Sequence, residues 1–161
     1  MSTTARVTDA EWLTRAVRLA TDSVSQGGGP FGALIVRGDG ELATGTNQVT
    51  SSFDPTGHAE IVAIRRACAS LGDFRLNGCV LVSSCEPCPM CLAAALWARV
   101  DRVIFAADRN DAQSAGFDDK SFYELFEQPR DSWPVTVTQL SIGDRNRPFK
   151  DWLASPDRVE Y

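Results

Sequence analysis

Apolar residues recur at helical spacing near the start of the chain. Trp12, Leu13, Ala16, Val17, Leu19 and Ala20 share one face behind Asp9, a residue suited to an N-cap. The tract GGGPFG (27–32) breaks that pattern and predicts the end of a first amphipathic helix. The apolar run ALIVR (33–37), the turn Gly38-Asp39-Gly40 and the stretch 41–46 predict a β-hairpin. From His58 onward, Ile61, Val62, Ile64, Ala67, Cys68 and Leu71 can line one face of a second helix, which Gly72 closes. Beyond it the pattern predicts a buried strand over 79–84, a helix over 91–99, a strand over 102–107, a helix over 121–127, a strand over 135–140 and a last helix. Strands alternating with helices imply right-handed crossovers. The expected fold class is α/β, a three-layer α/β/α arrangement around a five-stranded mixed sheet whose later strands are parallel. No repeat or linker divides the 161 residues, which suits a single domain over 1–161.

Composition narrows the function classes. The chain is 43% hydrophobic, enough for a sizeable core, and its formal net charge of −5 argues against a nucleic-acid partner, whose phosphates need clustered Lys and Arg. A small-molecule substrate is the better expectation. The opening residues MSTTARVTDAEW lack a basic patch followed by an apolar region, and no apolar run approaches ~20 residues, so no membrane partner and a cytoplasmic location are expected. Five cysteines is an odd count, and three of them, Cys85, Cys88 and Cys91, are clustered. That grouping suits metal binding in a reducing compartment better than a disulfide framework.

The chemistry concentrates at two predicted helix starts, His58-Ala59-Glu60 and Pro87-Cys88-Pro89-Met90-Cys91. Cysteines three apart project from one helical face, and the positive end of a helix favours the thiolates that zinc requires. His58, Cys88 and Cys91 make three protein ligands, which leaves the fourth position of Zn2+ for a water whose pKa the metal lowers towards neutrality. Glu60 is then placed to move protons as the catalytic residue. Residues two apart in a regular helix point about 200° apart. His58 and Glu60 therefore converge on one metal only if His58 sits at an irregular first turn. Two other readings of the cysteines are a closed structural zinc with Cys85 as fourth ligand and a thioredoxin-like C-x-x-C pair. The only histidine in the chain standing two before a glutamate favours the catalytic arrangement.

The pattern H-x-E followed by P-C-x-x-C is the signature of zinc nucleobase deaminases, and the sequence carries it whole. The chain resembles the cytidine deaminase superfamily through Asp54-Pro55-Thr56-Gly57-His58-Ala59-Glu60 and Cys85-Glu86-Pro87-Cys88-Pro89-Met90-Cys91. Within it, Ala115-Gly116-Phe117-Asp118-Asp119 and the terminal Glu160-Tyr161 look like the bacterial guanine deaminase branch. The resemblance implies a cytidine-deaminase-like fold and hydrolysis of guanine to xanthine and ammonia by attack at C2. It also implies a domain-swapped homodimer whose C-terminal tail, roughly 145–161, closes the partner's active site. By the same resemblance Asn47 and Asp119 hydrogen-bond the base, Phe31 contacts it, the Ala59 backbone N–H donates to the ring, and Tyr161 reaches in from the other subunit. Guanosine, cytosine or an amino-triazine are alternative substrates. A tRNA adenosine deaminase shares the zinc signature but needs to hold a polyanion, and a zinc-stabilised binding module without activity leaves the intact Glu60 unexplained.

Overall fold

The computed structural model describes residues 6–161; residues 1–5, part of the stretch read for a leader segment, lie outside the described residues. Helix α1 (Asp9–Ser25) starts one residue before the expected place, because Thr8 rather than Asp9 is its N-cap. Thr8 Oγ1 accepts from the Glu11 backbone N–H at 3.3 Å while Glu11 Oε2 accepts from Thr8 N–H at 2.8 Å, a reciprocal pair that satisfies two helix-end donors at once. Asp9 instead occupies the first turn, where its charge suits the positive helix end.

Strands β1 (Gly32–Arg37) and β2 (Gly40–Thr46) form the expected antiparallel hairpin, with a register shift between Ile35 and Val36. Strand β3 (Val80–Cys85) pairs antiparallel with β1, and β4 (Arg102–Ala107) pairs parallel with β3. The order is β2-β1-β3-β4, a mixed sheet whose later strands are parallel. Between β2 and β3 lie the short α2 (Val49–Ser52) and α3 (Ala59–Leu71), which ends at Gly72 with a left-handed φ of 63°. Helix α4 (Pro89–Trp97) makes the crossover to β4, followed by α5 (Arg109–Ser114) and α6 (Asp119–Phe126).

Alternation along β1 divides the core between the two faces of the sheet. Ala33 and Ile35, with Leu81, pack against Ala59, Ala63 and Ala67 of α3 and Ala95 of α4. Leu34 and Val36, with Val82, pack against Ala16 of α1. Two glycines allow the helices to lie close. A Cβ on Gly32 would sit 2.7 Å from both the Ala16 carbonyl oxygen and the Ala20 nitrogen, and one on Gly45 would sit 2.1 Å from the Ala59 carbonyl oxygen. These positions therefore admit only hydrogen.

The chain divides into two compact units, the first ending at Tyr123 and the second spanning Glu124–Tyr161. Within the second, Phe126 and Trp133 meet edge to face at 5.1 Å, Trp133 Nε1 donates to the Gln128 carbonyl, and a helix α7 (Arg147–Ala154) carries an Arg147–Asp151 ion pair. No described residue of this unit is buried. The expected fifth strand over 135–140 is absent: the sheet has four strands, and residues 135–140 join no ladder. The alternating VTVTQL pattern is suited to a strand, but alternation alone does not make one: a strand needs a partner for its N–H and C=O groups, and residues 135–140 have no ladder partner among the described residues. Among the described residues, no helix is long and apolar enough to cross a membrane.

Candidate active site

Two helix starts and the C-terminal ends of β2 and β3 meet at one place. His58 is the N-cap of α3, with extended φ −66° and ψ 153°. It thus lies outside the helical repeat, while Glu60 is the second helical residue. This meets the geometric condition for both to serve one site. The C-terminal end of β3 runs into Glu86-Pro87, and Cys88 is the N-cap of α4, with Pro89 at the first helical position and Cys91 in the first turn. A proline there loses no helical hydrogen bond and presets φ for the turn.

His58 Nδ1 lies 3.6 Å from Cys88 Sγ and 3.5 Å from Cys91 Sγ. Zn–S bonds of about 2.3 Å and Zn–N bonds of about 2.0–2.1 Å at a tetrahedral angle require an N···S edge of about 3.6 Å. The three side chains therefore have the dimensions of a zinc site, and they are the group among the described residues able to hold a metal ion. Cys85 is not part of it: its thiol donates to the Asp108 carbonyl, and burial pushes it up to about 11. The closed structural site with Cys85 as fourth ligand thus gains no support. The hydrogen bond with Cys91 pulls the Cys88 thiol down to about 4, with His58 helping against the cost of burial. Cys91 moves upward through the same bond, and His58 is raised chiefly by its bond with Cys88. The cluster thus holds a thiolate readily, as a metal ligand must.

Glu60 is buried, and Ser83 Oγ donates to its Oε1 at 3.0 Å while Oε2 lies 3.5 Å from Cys91 Sγ. One carboxylate oxygen is thereby fixed and the other faces the ligand cluster. Burial raises the Glu60 carboxyl above the usual carboxylate range, with the Ser83 bond opposing. His58 and Glu60 open into a cavity of about 560 Å³ that is also lined by Phe31, Asn47, Phe117, Asp119 and Phe122. Asn47 Oδ1 accepts from Val49 N–H, and burial raises the Asp119 carboxyl. Phe31 meets Phe117 edge to face at 4.7 Å. Ala59 is fully buried between His58 and Glu60, with its side chain in the core. Tyr161 is exposed and belongs to the second unit.

Sequence reasoning missed Ser83, Phe117 and Phe122. Ser83 had a signal: two serines end an otherwise apolar strand next to the metal-binding loop, and strand C-termini are where α/β sheets present their ligands. The aromatic pair of Phe31 and Phe117 joins residues far apart in the chain and had none.

A mixed α/β sheet presenting a His/Cys/Cys set and a buried carboxylate at the mouth of one cavity defines a metal-dependent hydrolytic centre. The sequence profile of the cytidine and deoxycytidylate deaminase zinc-binding region matches residues 6–107. The chain is similar to guanine deaminase of Bacillus subtilis strain 168, at 46% identity over 151 residues that cover 93% of this chain and 97% of that one. The solved structure of a Bacillus subtilis guanine deaminase superposes with a TM-score of 0.93 at 44% identity, covering 96% of this chain and 99% of the other. A tRNA-specific adenosine deaminase of Buchnera aphidicola is 34% identical over 117 residues, 73% of this chain and 78% of that protein. The chain belongs to the cytidine and deoxycytidylate deaminase family, and is a hydrolytic aminohydrolase of that family.

Proposed function

We propose that the protein hydrolyses guanine to xanthine and ammonia, using zinc held by His58, Cys88 and Cys91 and protons moved by Glu60. The likeness to a guanine deaminase over nearly the full length of both chains carries the choice of guanine. The likeness to a tRNA deaminase extends over less of this chain. Zinc bound by this ligand set supplies the Lewis acidity that makes water a nucleophile near neutral pH. Glu60 would take one proton from water as its oxygen adds to C2 and pass it to the neighbouring ring nitrogen, then take the remaining proton from the new C2 hydroxyl and pass it to the amino group as the C2–N bond breaks. Water enters and ammonia leaves, so the transfers balance. The fixed Oε1 leaves Oε2 as the proton-carrying oxygen, and its burial suits a carboxyl that must both take and return a proton.

Asn47 and Asp119 hydrogen-bond the base. The Asn47 Oδ1 is engaged by Val49 N–H, so its amide NH2 is the end that donates to a carbonyl oxygen of the purine. Asp119 accepts from ring or exocyclic N–H groups, Phe31 packs against the ring, and the Ala59 N–H at the start of α3 donates to it. The protein is read as one deaminase domain acting in the cytoplasm on a free nucleobase as a homodimer. Its tail, roughly 145–161, crosses to the second copy and brings Tyr161 to the partner's cavity. Supporting the exchange, the segment exposes Phe149, Leu153 and Val159, apolar side chains that gain by leaving water.

An ammonia-release assay across guanine, guanosine, cytosine, cytidine, adenine and ammeline tests the substrate. Selective release from guanine is the expected result, and release from another substrate with none from guanine overturns the reading.

A further inference from the structure

Helix α6 carries Asp119 into the cavity wall, yet none of its residues is buried. Hydrophobic burial therefore does little to fix where Asp119 stands relative to the metal ligands. Polar contacts are present instead. Tyr123, one turn after Asp119 on the same helical face, donates its hydroxyl to the Pro87 carbonyl at 2.6 Å, and Pro87 immediately precedes the ligand Cys88. The face of the Tyr123 ring holds the Arg109 guanidinium 3.6 Å from its centroid. Arg109 in turn grips Glu86 through both ends of its fork, Nε to Oε2 at 2.9 Å and Nη2 to Oε1, while its backbone N–H donates to Oε2 at 3.1 Å. Glu86 is anchored to the sheet by its own N–H on the Ala107 carbonyl at 2.8 Å. The contacts close a ring, Pro87 to Glu86 to Arg109 to Tyr123 and back to Pro87, that ties the metal-binding loop, the start of α5 and α6 into one body.

We propose that Tyr123 is a positioning residue for the reaction: through Pro87 and Arg109 it sets the distance from the Asp119 carboxylate to the metal-binding loop. This rests on the reading that Asp119 holds the purine. Tyr123 does not line the cavity, so its effect on turnover is indirect, and on this proposal it runs through Asp119 rather than through the hold of the loop on the metal. A bidentate Arg–carboxylate fork is geometrically stiff, and an aromatic ring stacked on it inherits that stiffness. The hydroxyl then passes it to α6.

The test is a double-mutant cycle with Tyr123→Phe, which keeps the ring over Arg109 and removes only the hydroxyl bond, and Asp119→Asn. In the native background, loss of one hydrogen bond that aims a substrate contact should lower kcat/KM for guanine about tenfold, mostly through KM. Xanthine binding, measured by calorimetry, should weaken by a similar factor. In the Asp119→Asn background the same substitution should change kcat/KM less than twofold. Zinc content and the rate of zinc loss to a chelator should stay native in Tyr123→Phe. Tyr123→Leu, which also bares Arg109, should exceed the effect of Tyr123→Phe with zinc still bound. Equal effects of Tyr123→Phe in both backgrounds, or faster zinc loss in step with the fall in activity, overturns the proposal while leaving the role of Asp119 intact. Native activity in Asp119→Asn overturns both.

Discussion

Gly45→Ala tests how the metal site depends on backbone contact. The new methyl carbon would lie 2.1 Å from the Ala59 carbonyl oxygen and 2.7 Å from the Ala63 nitrogen. A carbon and an oxygen rest in contact at about 3.3 Å, so strand and helix must separate by about 1 Å. Both obstructing atoms are backbone, and no rotamer change relieves them. Retreat of Gly45 is limited by its place opposite Ala33 in the β1–β2 ladder. The displacement falls on the first turn of α3, beside His58 and Glu60. Metal–ligand distances tolerate only about 0.2 Å, so a shift about five times larger takes His58 away from an ion held by Cys88 and Cys91. The stability cost belongs at the upper end for overpacking, about 3 kcal/mol, a fall of roughly 6–12 °C in Tm for a chain of this size. Gly32→Ala is the control, because it wedges α1 from the other face, 2.7 Å from Ala16 O. Elemental analysis after dialysis against a chelator, with a melting curve, should find Gly45→Ala depleted of zinc and less stable, and Gly32→Ala less stable with zinc retained. Native zinc and native melting in Gly45→Ala would refute the reasoning. Equal zinc loss in both variants would attribute the effect to general loosening.

Glu60→Gln should keep about one zinc per chain and lose turnover by about 10²–10⁴-fold, as expected for removal of a proton shuttle; full activity in the assay removes Glu60 from the mechanism. Deleting residues 157–161 should cripple guanine turnover while zinc content holds, and unchanged kinetics would end the case for Tyr161 acting on a partner. The hydrogen bonds from Arg109 hold the Glu86 carboxyl below its usual range. A carboxyl lowered on folding stabilises above its unfolded pKa of about 4.3 and loses that contribution as pH falls through its folded value. Glu86→Gln should therefore melt below the native protein at pH 7, with the gap closing in acid below about pH 4; a gap independent of pH contradicts the ion-pair account.

The sequence carried the centre of the candidate site because its residues fall in two short clusters, each local in the chain. A histidine two before a glutamate, and cysteines three apart behind a proline, fix their relative geometry through one helical turn each, and the extended backbone of His58 satisfies the condition their spacing imposed. Strand order was legible where periodicity was clean, as in the hairpin 32–46 and the parallel pair 80–85 and 102–107. It failed at 135–140, where the alternating pattern is real but alternation does not say whether a strand finds a partner. The helices Val49–Ser52 and Arg109–Ser114 are too short to show a period. Thr8 displaced Asp9 as the cap because Glu11 completes a reciprocal box, a signal present in the sequence and passed over. Tyr123 had no local signature, and Phe117 was legible only as part of the 115–119 motif and not as the partner of Phe31, since each acts through a residue dozens of positions away.

The cavity is built from parts of unequal permanence. His58, Glu60, Cys88 and Cys91 stand at the heads of two helices that are clamped to the sheet by core alanines, so their positions are fixed by the core itself. The opposing wall is formed by Phe117 in the loop before α6 and by Asp119 and Phe122 on that short helix, which has no buried residue. Exchanging side chains on that wall sacrifices little folding energy. A lineage can therefore trade one amino-bearing ring for another by rewriting residues 117–122 while the hydrolytic apparatus is inherited unchanged, and a designer seeking a new substrate has the same short stretch in which to begin.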